Sequence, residues 1–313
     1  MVVIIYDPCL KPHFEDFGLT IPMDDSRWEK TLRELSSRIP RASWHYAGPW
    51  AQVERKDLTL AHEQIYIEEL FCDPGPSILK AYEGDRYWTG NSTRPFSEFF
   101  ERALKNVSAT LTACEKALSS GWAYGMGGGM HHALSFTGQG FCLLNDGVIA
   151  LRSLQKAKRI RRALIIDVDI HKGDGTIEIT FGDESITTVD FHGGKTWPLC
   201  GGLYAQSNLP ADYNRPIFCG SDYLPTLEKT LRELPRDFDL ALVVQGSDLF
   251  EGDILSSSRE LGLSLAQMLE RDQLIHRWLS SCGIPQAYCM GGGYGESTWK
   301  VYFQYLYWAL NLA

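Results

Sequence analysis

Apolar residues recur along the chain at two distinct spacings. The clearest helical stripe runs over 96–119, where Phe96, Phe99, Phe100, Ala103, Leu104, Val107, Leu111, Cys114 and Leu118 follow three- and four-residue steps. The same periodicity predicts helices over 27–38, 223–234, 258–282 and 297–310. Between them stand short apolar runs rich in β-branched residues, at 2–5, 163–168, 186–189, 240–244 and 287–290. Such runs read as buried strands of a parallel sheet. Strands alternating with helices predict an α/β fold: one mostly parallel central sheet with helices on both faces. Stretches 73–76, 83–94 and 191–219 read as loops. No linker, repeat or compositional shift marks a boundary, so residues 1–313 are expected to form a single domain.

The strand ends carry the polar residues. One run leads into Asp167-Val168-Asp169-Ile170-His171, a second into Gln245-Gly246-Ser247-Asp248, a third into Gly291-Gly292-Gly293-Tyr294. Ligands of open α/β sheets bind beyond the carboxyl ends of the strands, so these three ends are expected to share one rim.

Composition narrows the classes. With 44% hydrophobic and 22% charged residues over 313 positions, the chain is an ordinary globular one, and no apolar run is long enough to span a bilayer. The apolar start, 1–6, lacks the flanks of a signal peptide and reads as a strand. Thirty Lys and Arg against 39 acidic residues, net charge −9, argue against a nucleic-acid footprint. Eight cysteines without a CxxC pair are too sparse for a disulfide scaffold. Reduced thiols and a cytoplasmic location are expected, with no membrane partner. Nothing in the sequence bears on oligomeric state.

Residues two apart on an extended strand share a face, which would point Asp167, Asp169 and His171 the same way. Two carboxylates and an imidazole are costly to bury together unless a cation neutralises them, although an acidic loop or a turn-holding Asp–His pair also fits. Asp248, at a second strand end, would complete three protein ligands with an open position, the pattern of a catalytic metal. Nitrogen with oxygen ligation suits Zn²⁺ or Fe²⁺ and does not separate them. His131 and His132 follow a triple glycine, with Asp167 and Asp174 available to fix their tautomers. A nucleotide loop is disfavoured, because Met130 stands where GxGxxG would need its last glycine. Tyr294, on its glycine-rich turn, either packs in the core or offers its hydroxyl to a developing oxyanion.

Taken together, the stretches GGGMHHA (127–133), GQGFCLLND (138–146), ALIIDVDIHKGDGT (163–176), ITTVDFH (186–192), QGSDLFEGD (245–253) and MGGGYG (290–295) resemble the histone deacetylase family, of the arginase–deacetylase fold. VVIIYDP (2–8) and LTLAHEQIYIEEL (58–70) also look like that family's N-terminal half. The resemblance is thinnest at 40–57, 73–95 and 195–235.

The resemblance implies a zinc-dependent lysine deacetylase with Asp169, His171 and Asp248 as metal ligands. It implies His131, backed by Asp167, as general base toward the attacking water. His132, paired with Asp174, would help protonate the leaving amine, and Tyr294 would polarise the scissile carbonyl. Substrate contacts would come from the Gly140 carbonyl, Phe141, Trp197, Leu255, Gly292 and Gly293. A structural potassium is implied at Asp167, Asp169, His171, Asp190 and Phe191. Three departures stand out: Lys172 follows the ligand histidine, Asp190 replaces a usual serine, and Pro198-Leu199-Cys200-Gly201-Gly202 replaces a PGTG turn after Trp197. Leu255 occupies the rim position where polyamine-selective relatives carry an acidic residue, which favours acetyl-lysine in proteins or peptides. The alternatives are an acetylpolyamine or other small-molecule amidohydrolase, a longer-chain deacylase, or a silent acyl-lysine binder. A two-metal ureohydrolase would need more aspartates than the site supplies.

Overall fold

The central strands are buried at every position, as expected where helices cover both faces of a sheet. In the computed structural model, which describes residues 3–256 and 261–312, seven parallel strands make one sheet. They are β1 (Val3–Ile5), β2 (Trp122–Gly125), β3 (Ala163–Asp167), β4 (Ile186–Gly193), β5 (Tyr213–Ile217), β6 (Leu240–Gln245) and β7 (Gln286–Met290). Their order across the sheet is β1-β2-β7-β6-β3-β4-β5. The three strands with polar ends, β7, β6 and β3, are therefore neighbours. Ile165 pairs with Leu242, and Val243 with Tyr288, so their carboxyl ends finish level at one edge.

The described helices are α1 (Arg27–Ser36), α2 (Arg55–Leu58), α3 (Gln64–Cys72), α4 (Pro74–Ala81), α5 (Gly84–Tyr87), α6 (Phe96–Ser120), α7 (Asp146–Lys156), α8 (Asp174–Thr180), α9 (Tyr223–Glu233), α10 (Leu265–Ser281) and α11 (Trp299–Leu310). The stripe over 96–119 becomes α6, which buries Phe99, Phe100, Val107, Leu111 and Cys114 and packs on β1, β2, β7 and α7. It stops where Gly121 turns left-handed at φ 82°. A second group, α9, α10, α11 and α1, packs in succession. None of the described helices is long and apolar enough to cross a membrane.

Several expectations are corrected. The stretch 73–76 is the start of α4, because the Asp73 carboxylate accepts the Gly75 amide at 3.1 Å and Pro74 takes the first helical position. The stretch 83–94 contains α5, and 191–219 contains the end of β4 and all of β5. The helix expected over 258–282 begins at Leu265, where Ser264 and Gln267 form a capping box. Residues 258–260 of that expectation, and Val2 of the first strand, lie outside the described residues.

Candidate active site

Beyond Asp167 the chain leaves the sheet, so strand alternation is not what gathers Asp167, Asp169 and His171. Two successive side-chain turns do it. The Asp167 Oδ1 accepts the Asp169 amide at 3.0 Å, and the Asp169 Oδ1 accepts the His171 amide at 3.0 Å. Asp167 thereby turns away from the ligand group, while Asp169 and His171 meet Asp248 from the end of β6. His171 Nδ1 lies 3.2 Å from Asp169 Oδ1 and 3.1 Å from Asp248 Oδ2. All three side chains are buried, with one donor atom of each within 4.8 Å of the others. The loops interlock, since the Ile170 amide donates to Asp248 Oδ1 at 3.1 Å and the Gly292 amide to Asp169 Oδ2 at 2.7 Å.

Glycine is required at two of these crossings. A Cβ on Gly246 would sit 2.5 Å from the Asp169 Cα, and one on Gly292 would sit 2.4 Å from Asp248 Oδ2 and 2.6 Å from Asp169 Oδ2. Burial and the charge of Asp169 push the Asp248 carboxyl above the usual carboxylate range. A cation among these atoms removes that cost, and two carboxylates with one imidazole match a divalent ion of borderline softness. The residues fit a divalent metal ion.

Beside this cluster the two histidines stand with ring centroids 3.9 Å apart. His131 Nδ1 donates to Asp167 Oδ2 at 2.7 Å, and His132 Nδ1 to Asp174 Oδ1 at 2.8 Å. Carboxylates only accept, so each pair fixes its tautomer and leaves Nε2 for the cavity. Their environments differ. Burial alone would lower His131, but Asp167 and Asp169 overcome it and raise it to about 10. Burial and the neighbouring His131 lower His132 to about 4, against the pull of Asp174. The pair therefore carries one positive charge, and it sits on His131. Asp174 is held in turn by Gln139 Nε2 at 2.7 Å and by the Ser207 hydroxyl, and the buried Lys172 Nζ donates to the Ser207 carbonyl at 2.9 Å.

Tyr294 is buried, its ring edge-on to His171 at 6.5 Å. Its turn is fastened by residues that sequence reasoning missed. The Asp253 carboxylate accepts the amides of Tyr294 (2.7 Å), Gly295 (3.3 Å) and Leu255 (2.9 Å). The buried Arg27 Nη1 donates to the carbonyls of Gly291 (3.0 Å) and Gly293 (2.9 Å). Arg27 shares the buried face of α1 with Thr31 and Leu35, and a charge on an apolar stripe is the signal that would have found it.

Of the expected substrate contacts, Phe141 lies 6.3 Å from Tyr294 and 6.1 Å from Tyr82. Trp197 meets His132 edge-on at 4.6 Å, and a side chain at Gly140 would collide with both. Leu255 is half-buried, its amide donating to the Asp253 carboxylate. At the implied potassium position, the Asp190 carboxylate already accepts from His192 Nδ1 and from the Gly173 amide at 2.8 Å. One cavity joins His131, His132, Phe141, Asp169 and Tyr294.

Comparison with known proteins gives a consistent answer. The chain is 32% identical over 208 residues to an uncharacterized protein of Picosynechococcus, covering 66% of this chain and 67% of that one. It is 26% identical over 306 residues to Histone deacetylase 2 of Arabidopsis thaliana, covering 96% and 76%. With the acetoin utilization protein AcuC of Bacillus subtilis it shares 29% over 265 residues, 79% of this chain and 65% of AcuC. Two solved structures share the fold at 18% identity. They are the HDA15 HD domain (TM-score 0.75; 99% of this chain, 88% of that one) and an acetylpolyamine aminohydrolase from Burkholderia pseudomallei (0.73; 98% of each). The histone deacetylase domain matches residues 21–310, nearly the whole length, and the chain belongs to that family.

Proposed function

We propose that this chain hydrolyses the amide of N-ε-acetyl-lysine in proteins or peptides, with zinc at Asp169, His171 and Asp248. The observation that carries the reading is one cavity lined by two carboxylate-oriented histidines, a buried tyrosine and Asp169, which belongs to a buried three-ligand cluster. A divalent ion held by Asp169, His171 and Asp248 would supply Lewis-acid chemistry and lower the pKa of a water toward about 7. With the Asp169 charge that raises His131 cancelled by a divalent ion at the cluster, His131 Nε2, 3.8 Å from Asp169 Oδ1, is free to take the proton of the attacking water. His132 is neutral at rest, so the proton its Nε2 passes to the departing lysine amine is one taken up during the reaction, with Asp174 steadying the charge. The Tyr294 hydroxyl donates to the oxyanion. Burial and the carboxylates of Asp169 and Asp248 hold its pKa well above the usual value, so it stays a donor. Phe141 and Trp197 flank the lysine stem and exclude water. All eight cysteines are free, in keeping with the cytoplasm.

Hydrolysis of an acetyl-lysine peptide tests the proposal, using native, chelated and zinc-restored protein. Turnover should vanish on chelation, return with zinc, and fall about 10²–10³-fold in kcat in Tyr294→Phe. No turnover by zinc-loaded protein sinks the acetyl-lysine reading. Cleavage of acetylpolyamines or longer acyl groups in the same assay would replace it.

A further inference from the structure

Helix α10 buries Met268, Arg271, Asp272, Ile275 and Leu279, which places a charged pair in the middle of an apolar stripe. Arg271 and Asp272 are both fully buried. A buried ion pair contributes little to stability relative to apolar residues of similar volume, and its best-attested use is to fix one arrangement of the groups around it.

What Arg271 holds is the backbone of the ligand loops. Its Nη1 donates to the Val168 carbonyl at 3.0 Å and to the Gly246 carbonyl at 2.8 Å. Val168 immediately precedes Asp169, and Gly246 stands two residues before Asp248. One nitrogen thus ties the end of β3 to the end of β6, and Arg271 takes no part in lining the cavity. The fork is oriented from behind, because Nε and Nη2 both lie 2.8 Å from Asp272 Oδ1. Asp272 Oδ2 accepts from Gln245 Nε2 at 2.5 Å, and Gln245 Oε1 accepts the Tyr124 hydroxyl at 2.6 Å. The chain of contacts runs from β2 through β6 to α10 and back to the two ligand loops.

We propose that Arg271, oriented by Asp272, is a positioning residue for the metal site: it sets the spacing of Asp169 and Asp248 and through it the affinity for a divalent ion. The proposal rests on the metal reading of the cluster. Only a planar fork reaches both carbonyls while remaining on Asp272, and lysine, a single point donor, does not.

Zinc affinity measured by competition with a chromogenic chelator, beside the visible spectrum of the cobalt-substituted protein, tests it without any substrate. Arg271→Lys should bind zinc about 10–100-fold more weakly, the usual cost of losing a group that orients a ligand, and should shift the cobalt bands. Asp272→Asn keeps the shape and the guanidinium; it should weaken binding in the same direction and carries the test if Arg271→Lys does not fold. Leu279→Ala, on the same stripe, should lower thermal stability and leave affinity unchanged. Wild-type affinity and spectrum in a folded Arg271→Lys or Asp272→Asn overturn the clamp alone. A native chain that binds neither metal tightly overturns the metal reading, and the clamp with it.

Discussion

Buried His62 shows how one side chain constrains both protonation and structure. Its Nε2 accepts the Asn145 amide at 2.9 Å, so Nδ1 carries the proton and donates to the Leu134 carbonyl at 3.0 Å. Asn145 in turn caps α7 through the Val148 amide at 3.1 Å. Burial lowers the folded-state pKa of His62 to about 4, against about 6.5 in an unfolded chain. Between those values the unfolded chain binds the extra proton. Stability from this residue is therefore complete above pH 6.5 and is lost as pH falls toward 4, by about 3 kcal/mol in all. Urea unfolding across this window should show a steeper rise with pH in the native chain than in His62→Gln. Equal slopes would refute the assignment.

The turn after β7 is where element geometry meets chemistry. Gly292→Ala would push a methyl against both ligand carboxylates, and we expect zinc affinity to drop at least about tenfold, as it does when ligand orientation is lost, while the helices and sheet persist. Circular dichroism with zinc competition reads both halves of that expectation. How much of such detail the residues disclose depends on the element. The long stripe of α6 was legible because 25 residues repeat one spacing many times. β2 was not, since Trp122-Ala123-Tyr124-Gly125 is four residues without alternation, nor was the edge strand β5, whose Tyr213-Asn214-Arg215-Pro216-Ile217 is mostly polar. In α4, Pro74-Gly75-Pro76 reads as a breaker, yet Asp73 turns it into a helix start. The convergence of Asp169 and His171 was legible, but its cause was not, because side-chain-to-backbone turns leave no periodic trace. Arg27 and Arg271 did leave one, as charges on apolar stripes.

At the scale of the whole molecule, the sheet order places three chain segments, remote in sequence, at one edge. An ion bound only by the folded state stabilises that state by mass action, about 4 kcal/mol at a thousandfold excess over Kd. For a chain of 313 residues this corresponds to a rise in melting temperature on the order of 6 °C. Differential scanning fluorimetry of chelated and zinc-restored protein should show the rise, and Asp248→Ala should abolish it. A shift that survives in Asp248→Ala would mean the zinc sits elsewhere.

His171 and Asp248 are 77 positions apart, and the intervening chain contains β4, β5 and α9. An ion held by both acts on the polymer as a removable knot, closing a large ring that is otherwise open. Ring closure costs entropy that grows only slowly with ring size, so tying even a long segment restricts every state in which it comes loose. Metal supply would then govern more than turnover: it would decide whether a quarter of the molecule opens as a free arc or remains tethered at both ends.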